Sequence, residues 1–114
     1  MDSRHEKRRE LLQKLFVLGF DQTAVDPEVS PIQEHLSTLD SLIRKFAPRY
    51  PLETIARVDL AILRLALYEL RIEKKNPDKV VIDEAVTLAR EFGNEKSYAF
   101  VNGVLGSVLN EKIE

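Results

Sequence analysis

Apolar residues recur along most of this chain at intervals of three and four, the period of a helix with one buried face. Nowhere do they alternate in the two-residue rhythm of a strand. The pattern predicts an opening helix from about residue 3 to Gly19, with Leu11, Leu12, Leu15, Phe16 and Leu18 on one side. Residues 21 to 29 are acidic, contain a proline and read as a surface connection. Ser30 can cap a second helix with Pro31 at its first position, where the missing N–H costs nothing. That helix should run to Phe46 or Ala47 through Leu36, Leu39, Ile43 and Phe46, and Pro48 should end it. Pro51 can open the next element.

Residues 57–72 are apolar around most of the circumference, which marks a central helix packed on several sides. Arg57, Arg64 and Arg71 line one narrow stripe of it and are expected to form a solvated or ion-paired edge. Asn76-Pro77-Asp78 breaks the chain. A further helix follows through Val81, Ala85, Leu88 and Ala89, stopped by Gly93 as a left-handed residue past its end. Ser97 is expected to cap a last helix containing Phe100, Val101, Val104, Leu105 and Val108. Gly103 and Gly106 lie inside it, each costing about 1 kcal/mol relative to alanine, and close approach of another helix or chain is the simplest reason to keep them. The expectation is an all-α fold in a single domain, residues 1–114, with no internal repeat.

Composition narrows the function. With 44% hydrophobic residues the chain can build a core without staples, and with no cysteine it has no disulfide framework, thiolate nucleophile or Cys-based zinc site. No run approaches the roughly 18 apolar residues of a membrane span, and residues 1–7 lead into an amphipathic segment and not a signal sequence. A soluble cytoplasmic protein without membrane contact is expected. His5 and His35 have no ligand-spaced partners, Asp83 and Glu84 point about 100° apart on a helix, and no glycine-rich phosphate loop occurs. We therefore expect no enzyme, no metal and no cofactor.

A net charge of −2 gives no global case for nucleic acid, so any case must be local. Arg4, Lys7, Arg8, Arg9 and Lys14 gather in the first fourteen residues, while the rest of the chain is net acidic. Cations at a helix start oppose its dipole, and a phosphate-bearing partner would reverse that penalty. A second region, residues 94–100, sets Lys96, Tyr98 and Phe100 at another helix start, the combination that phosphate contact and base stacking require.

Four segments in order, RVDLAILRLALYEL at 57–70, KVVIDEAV at 79–86, FG at 92–93 and FVNGVL at 100–105, resemble the signature of the NusB transcription antitermination family, and the stretch from Arg4 to Phe16 resembles its arginine-rich opening helix. The resemblance implies two small helical bundles, the first reduced here because the chain is short between the opening and central helices. It implies binding of boxA-type single-stranded RNA together with NusE, a small ribosomal subunit protein, and entry into the elongating RNA polymerase complex, by a monomer or a homodimer. Carried over by position, Arg4, His5, Arg8 and Gln13, with Lys7 beside them, form one part of the RNA surface, and Lys96, Ser97 and Phe100 the other. Asp59 and Glu69 become candidates for the NusE surface, Arg64 an internal ion-pair partner, and Asn102 a holder of neighbouring backbone. Glu6 stands where the family is basic, and Lys96 where it is often acidic. Two other readings remain: a helical protein-interaction adaptor without RNA binding, consistent with the net charge and Glu6, and an RNA-docking module like that of ribosomal RNA methyltransferases, which would need a cofactor-binding domain absent from these residues.

Overall fold

The computed structural model describes residues 3–19 and 26–113, the last two by their backbone alone; the expected connection at 21–29 lies largely outside them. Among the described residues every regular element is helical: α1 (Ser3–Leu18), α2 (Ser30–Gln33), α3 (Leu36–Phe46), α4 (Arg57–Leu67), α5 (Asp78–Phe92) and α6 (Ser97–Ile113). The all-α expectation holds.

Helix α4 is the hub. It packs against α1, α3, α5 and α6, and Ala61, Ile62, Leu63, Leu65, Ala66 and Leu67 are all buried, as its all-round apolar sequence requires. Around it lie Leu12, Leu15 and Leu18 of α1, Leu39 and Ile43 of α3, Val81, Leu88 and Ala89 of α5, and Val101, Leu105 and Val108 of α6. The arginine stripe on α4 is an ion-paired edge. Arg57 Nη1 donates to the Gly19 carbonyl at 2.6 Å, Arg64 makes a two-pronged pair with Asp40 at 2.9 and 3.0 Å, and Arg71 reaches Glu111 at 3.5 Å. Successive arginines thus tie α4 to the end of α1 and to α3, and the segment that continues it to α6. The expectation of Arg64 as an internal partner is met.

Past Leu67 the central helix widens into a π-helical segment, Tyr68–Glu73. Lys74 N–H donates to the Glu69 carbonyl five residues back at 2.9 Å, and Lys74 itself, at φ 56°, ends the helix in the left-handed region.

The second helix departs from expectation in two ways. Ser30 lies inside α2, not at its cap, and its hydroxyl donates to the Asp26 carbonyl at 2.9 Å. The helix also breaks at Glu34–His35 before restarting as α3. His35 Nδ1 lies 2.8 Å from the Pro31 carbonyl oxygen, the acceptor a continuing helix would offer to the His35 N–H, and that N–H turns to Ile32 at 3.0 Å. A side chain competing for a helical carbonyl ends the helix there. α2 is thereby left as a single turn.

Gly93 adopts φ −90° and ψ −170°, an extended and not a left-handed conformation. What demands glycine is space: a Cβ would lie 2.3 Å from Ser97 Oγ and 2.7 Å from the Ala89 carbonyl oxygen. Gly103 and Gly106 show the reverse. Among the described residues nothing lies within 4 Å of a Cβ at either position, so no close helix contact accounts for them.

Candidate nucleic-acid and partner interface

The basic opening of α1 is folded into ion pairs. Arg8 is buried, 6% exposed, with Nε 3.0 Å and Nη2 2.8 Å from the two oxygens of Glu69, itself 7% exposed. His5 is buried between two carboxylates of α5, Nδ1 2.5 Å from Glu84 and Nε2 2.6 Å from Glu91. Both ring nitrogens can donate only as imidazolium, and the Glu84 hydrogen bond first, against the opposing desolvation, raises the His5 pKa. Lys7 bonds Glu28. Lys14 bridges Glu28 at 3.1 Å and Asp26 at 3.2 Å, and these lysines hold the Glu28 carboxyl below its ordinary range. Arg9 pairs with Glu6 at 3.1 Å. Arg4 is exposed and engaged as well.

The sequence places Arg4, His5, Lys7 and Arg8 together, and the structure keeps them together. It does not leave them free for phosphate. His5 and Arg8 are structural clasps, fastening α1 to α5 and to the end of α4, and as sites of RNA contact both expectations are corrected by this burial. Arg4, Lys7 and the exposed Gln13 remain at the surface. Arg4 and Lys7 form one wall of a groove of about 380 Å³ whose other wall includes Ile32, Tyr68 and Glu73. Its charge is mixed.

At the start of α6 the chain turns a tight corner. Ser97, 1% exposed, accepts from the Asn94 N–H at 2.9 Å and hydrogen-bonds the Asp59 carboxylate. It closes the corner and does not face a ligand, so its place in the RNA surface is corrected too. It also serves as the first residue of α6 and not as the residue before it. Lys96 is exposed, with its N–H held by Asn94 Oδ1 at 2.8 Å. Phe100 is half-buried, its ring edge-to-face with Tyr50 at 5.0 Å and 73°. Arg90 lies over the exposed Tyr98 ring at 4.6 Å. The face of α1 that carries Gln13 joins this corner through Arg9, which sits 5.5 Å over the Phe92 ring.

Neither partner candidate presents an open carboxylate. Glu69 is spent on Arg8, a correction to its partner role. Asp59 is 6% exposed and its Oδ1 has no hydrogen-bond partner among the described residues. Burial pushes its carboxyl above the ordinary range, with the Ser97 hydrogen bond opposing. It lies in the floor of a shallow depression shared by Phe16, Ala56, Arg57 and Asn94. Asn102 is exposed beside Asp83, Thr87 and Arg90 and, among the described residues, holds no neighbouring backbone, contrary to expectation. The sequence reading passed over Tyr50, Glu28 and Glu91 and weighed Glu84 only as one of an adjacent pair with Asp83, because each meets its partner far away in sequence. No group of three or more His, Asp or Glu residues suited to a metal occurs among the described residues, and none of their helices is long and apolar enough to cross a membrane.

Comparison with known proteins gives a consistent answer. A family model described as the NusB family matches residues 4–110. The chain is 53% identical over 78 residues to the transcription antitermination protein NusB of Chloroflexus aggregans, covering 67% of this chain and 52% of that protein. It is 38% identical to the protein of that name from Geobacillus kaustophilus, covering 92% of this chain and 94% of the relative. In its matches to the first of these relatives the chain spans between 52% and 62% of their length. Among solved structures, T. maritima NusB superposes with a TM-score of 0.84 at 32% identity, over 95% of this chain and 91% of that one.

Proposed function

The chain belongs to the NusB family, and on that premise we propose that it is a transcription antitermination factor that binds boxA-type single-stranded RNA together with NusE and joins the elongating RNA polymerase complex. The observation that carries this reading is the match, at 38% identity and across 94% of the relative, to a protein named for transcription antitermination. The site supports it in a form shifted from the usual emphasis on the opening helix. RNA runs along the exposed Gln13 face of α1, with Arg4 and Lys7 at its far end, and over the start of α6 at Lys96 and Phe100. His5 and Arg8 hold the scaffold. NusE docks over the depression around Asp59, whose buried Oδ1 has no donor among the described residues.

Fluorescence anisotropy of a labelled boxA RNA against a scrambled control, at two salt concentrations and with and without NusE, tests this. Preferential binding that weakens with salt and tightens with NusE is expected. The neutralised state of the α1 cations favours one competing reading, a protein-interaction adaptor without RNA binding. Absence of RNA binding under all conditions, with NusE binding retained, would establish that reading instead.

A further inference from the structure

Beside Phe100 the end of α3 and the start of α6 enclose a cleft of about 310 Å³, walled by Arg49, Tyr50, Ala99, Phe100 and Val104 and floored by Gly103. Tyr50 is 50% exposed and turns its ring across Phe100. No carboxylate lines the cleft. Two cations bracket it: Arg49 at its rim, and Lys96 one helical turn before Phe100, whose N–H bonds the Lys96 carbonyl at 3.2 Å. Both are exposed, and among the described residues neither has an ion-pair partner, in contrast to Lys7, Arg8, Arg9 and Lys14. Gly103 adds an independent observation. It is an interior helical glycine with only open space where a side chain would stand, so no feature of the free chain requires it.

An aromatic shelf with an open floor, cationic edges and no acid suits a flat aromatic group that carries negative charge. We infer that this cleft is a nucleobase subsite: Tyr50 and Phe100 receive one unstacked base of the single-stranded RNA, Gly103 leaves room for it, and Arg49 and Lys96 hold the flanking phosphates. The inference rests on the RNA-binding reading above and deepens it, adding Arg49, Tyr50 and Gly103 to the surface. A peptide side chain could use the apolar floor, but the paired cations and the absence of any acid favour the nucleotide.

The test is anisotropy of the labelled boxA RNA with the full chain carrying Tyr50→Ala, Tyr50→Phe or Gly103→Leu, each checked by thermal melting. Tyr50→Ala should weaken binding about tenfold, the usual scale for losing one stacked base, while Tyr50→Phe keeps it. Gly103→Leu projects a side chain into the cleft from a position where a Cβ meets nothing within 4 Å, so it should weaken binding about as much while the melting temperature is kept. A 2-aminopurine placed in the RNA should be quenched by the unaltered chain and less so by Tyr50→Ala. If the unaltered chain binds RNA and both Tyr50→Ala and Gly103→Leu bind equally well, the subsite is refuted and the antitermination reading stands. If the unaltered chain binds no RNA, both fall.

Discussion

Arg8 and Glu69 lie fork to fork inside the protein, Nε 3.0 Å from one carboxylate oxygen and Nη2 2.8 Å from the other. An arginine that reads from sequence as a phosphate ligand is therefore a strut between α1 and the π-helical end of the central helix. Arg8→Ala should cost about 3–5 kcal/mol of stability, because it strands a buried carboxylate. Arg8→Met combined with Glu69→Leu should recover most of that. Denaturant melts of the single and double variants check it, and any change in RNA affinity must be judged against the lost stability.

His5 makes the neighbouring junction between α1 and α5 depend on pH. Its two carboxylate partners raise its pKa in the folded chain, so folding favours the protonated ring. That contribution is complete below the ordinary value of 6.5 and fades as pH rises through the raised folded value. Stability should accordingly fall as pH rises above 6.5, and His5→Gln should flatten the fall. Melting temperatures measured from pH 6 to 9, with the limits chosen around the reference value, decide the matter.

Glycines in the second half should respond in opposite senses. Gly93→Ala drives a methyl into Ser97 and the Ala89 carbonyl and should destabilise by about 1–3 kcal/mol, the scale of overpacking. Gly106→Ala meets nothing and should stabilise by about 0.5–1 kcal/mol through helix propensity and a less flexible unfolded chain. Urea titrations of both variants give the two signs directly.

For Asp59, burial disfavours the charged form, so the ionised carboxylate costs stability above its ordinary pKa of 3.8, and the cost is relieved as pH falls to that value. Asp59→Asn keeps an acceptor for Ser97 and removes the charge. The free chain should melt higher at pH 7, with the difference closing in acid, while NusE binding, measured by calorimetry, should weaken. A variant that gains stability and binds NusE as before would place the partner elsewhere.

Helices, their order and most of the core were legible in the sequence because apolar periodicity is a local signal. Leu12, Leu15 and Leu18 of α1 and nearly the whole of α4 follow from spacing alone. The inward roles of His5 and Arg8 were encoded in the same way, since both continue the stripe of Leu12 and Leu15 at the same intervals. Their charge directed attention outward, and the acids that neutralise them, Glu69, Glu84 and Glu91, lie more than sixty residues away. The break at His35 and the spatial need for Gly93 depend on single atoms finding a carbonyl or a hydroxyl, which no periodicity records. Tyr50 escaped because an exposed ring between two prolines carries no pattern until Phe100 is set beside it.

The π-helical segment of the central helix carries one residue more than an α-helical turn would hold, in effect an insertion kept in place by the Lys74-to-Glu69 bond. Excising a residue between Tyr68 and Glu73 would yield a more regular helix and a worse protein. Every side chain beyond the cut would rotate by about 100°, and Arg71 would swing away from Glu111 while the chain entered α5 out of phase. The irregularity thus works as a phase adjuster, setting the rotational register between the half of the fold built around α1 and the half built from α5 and α6.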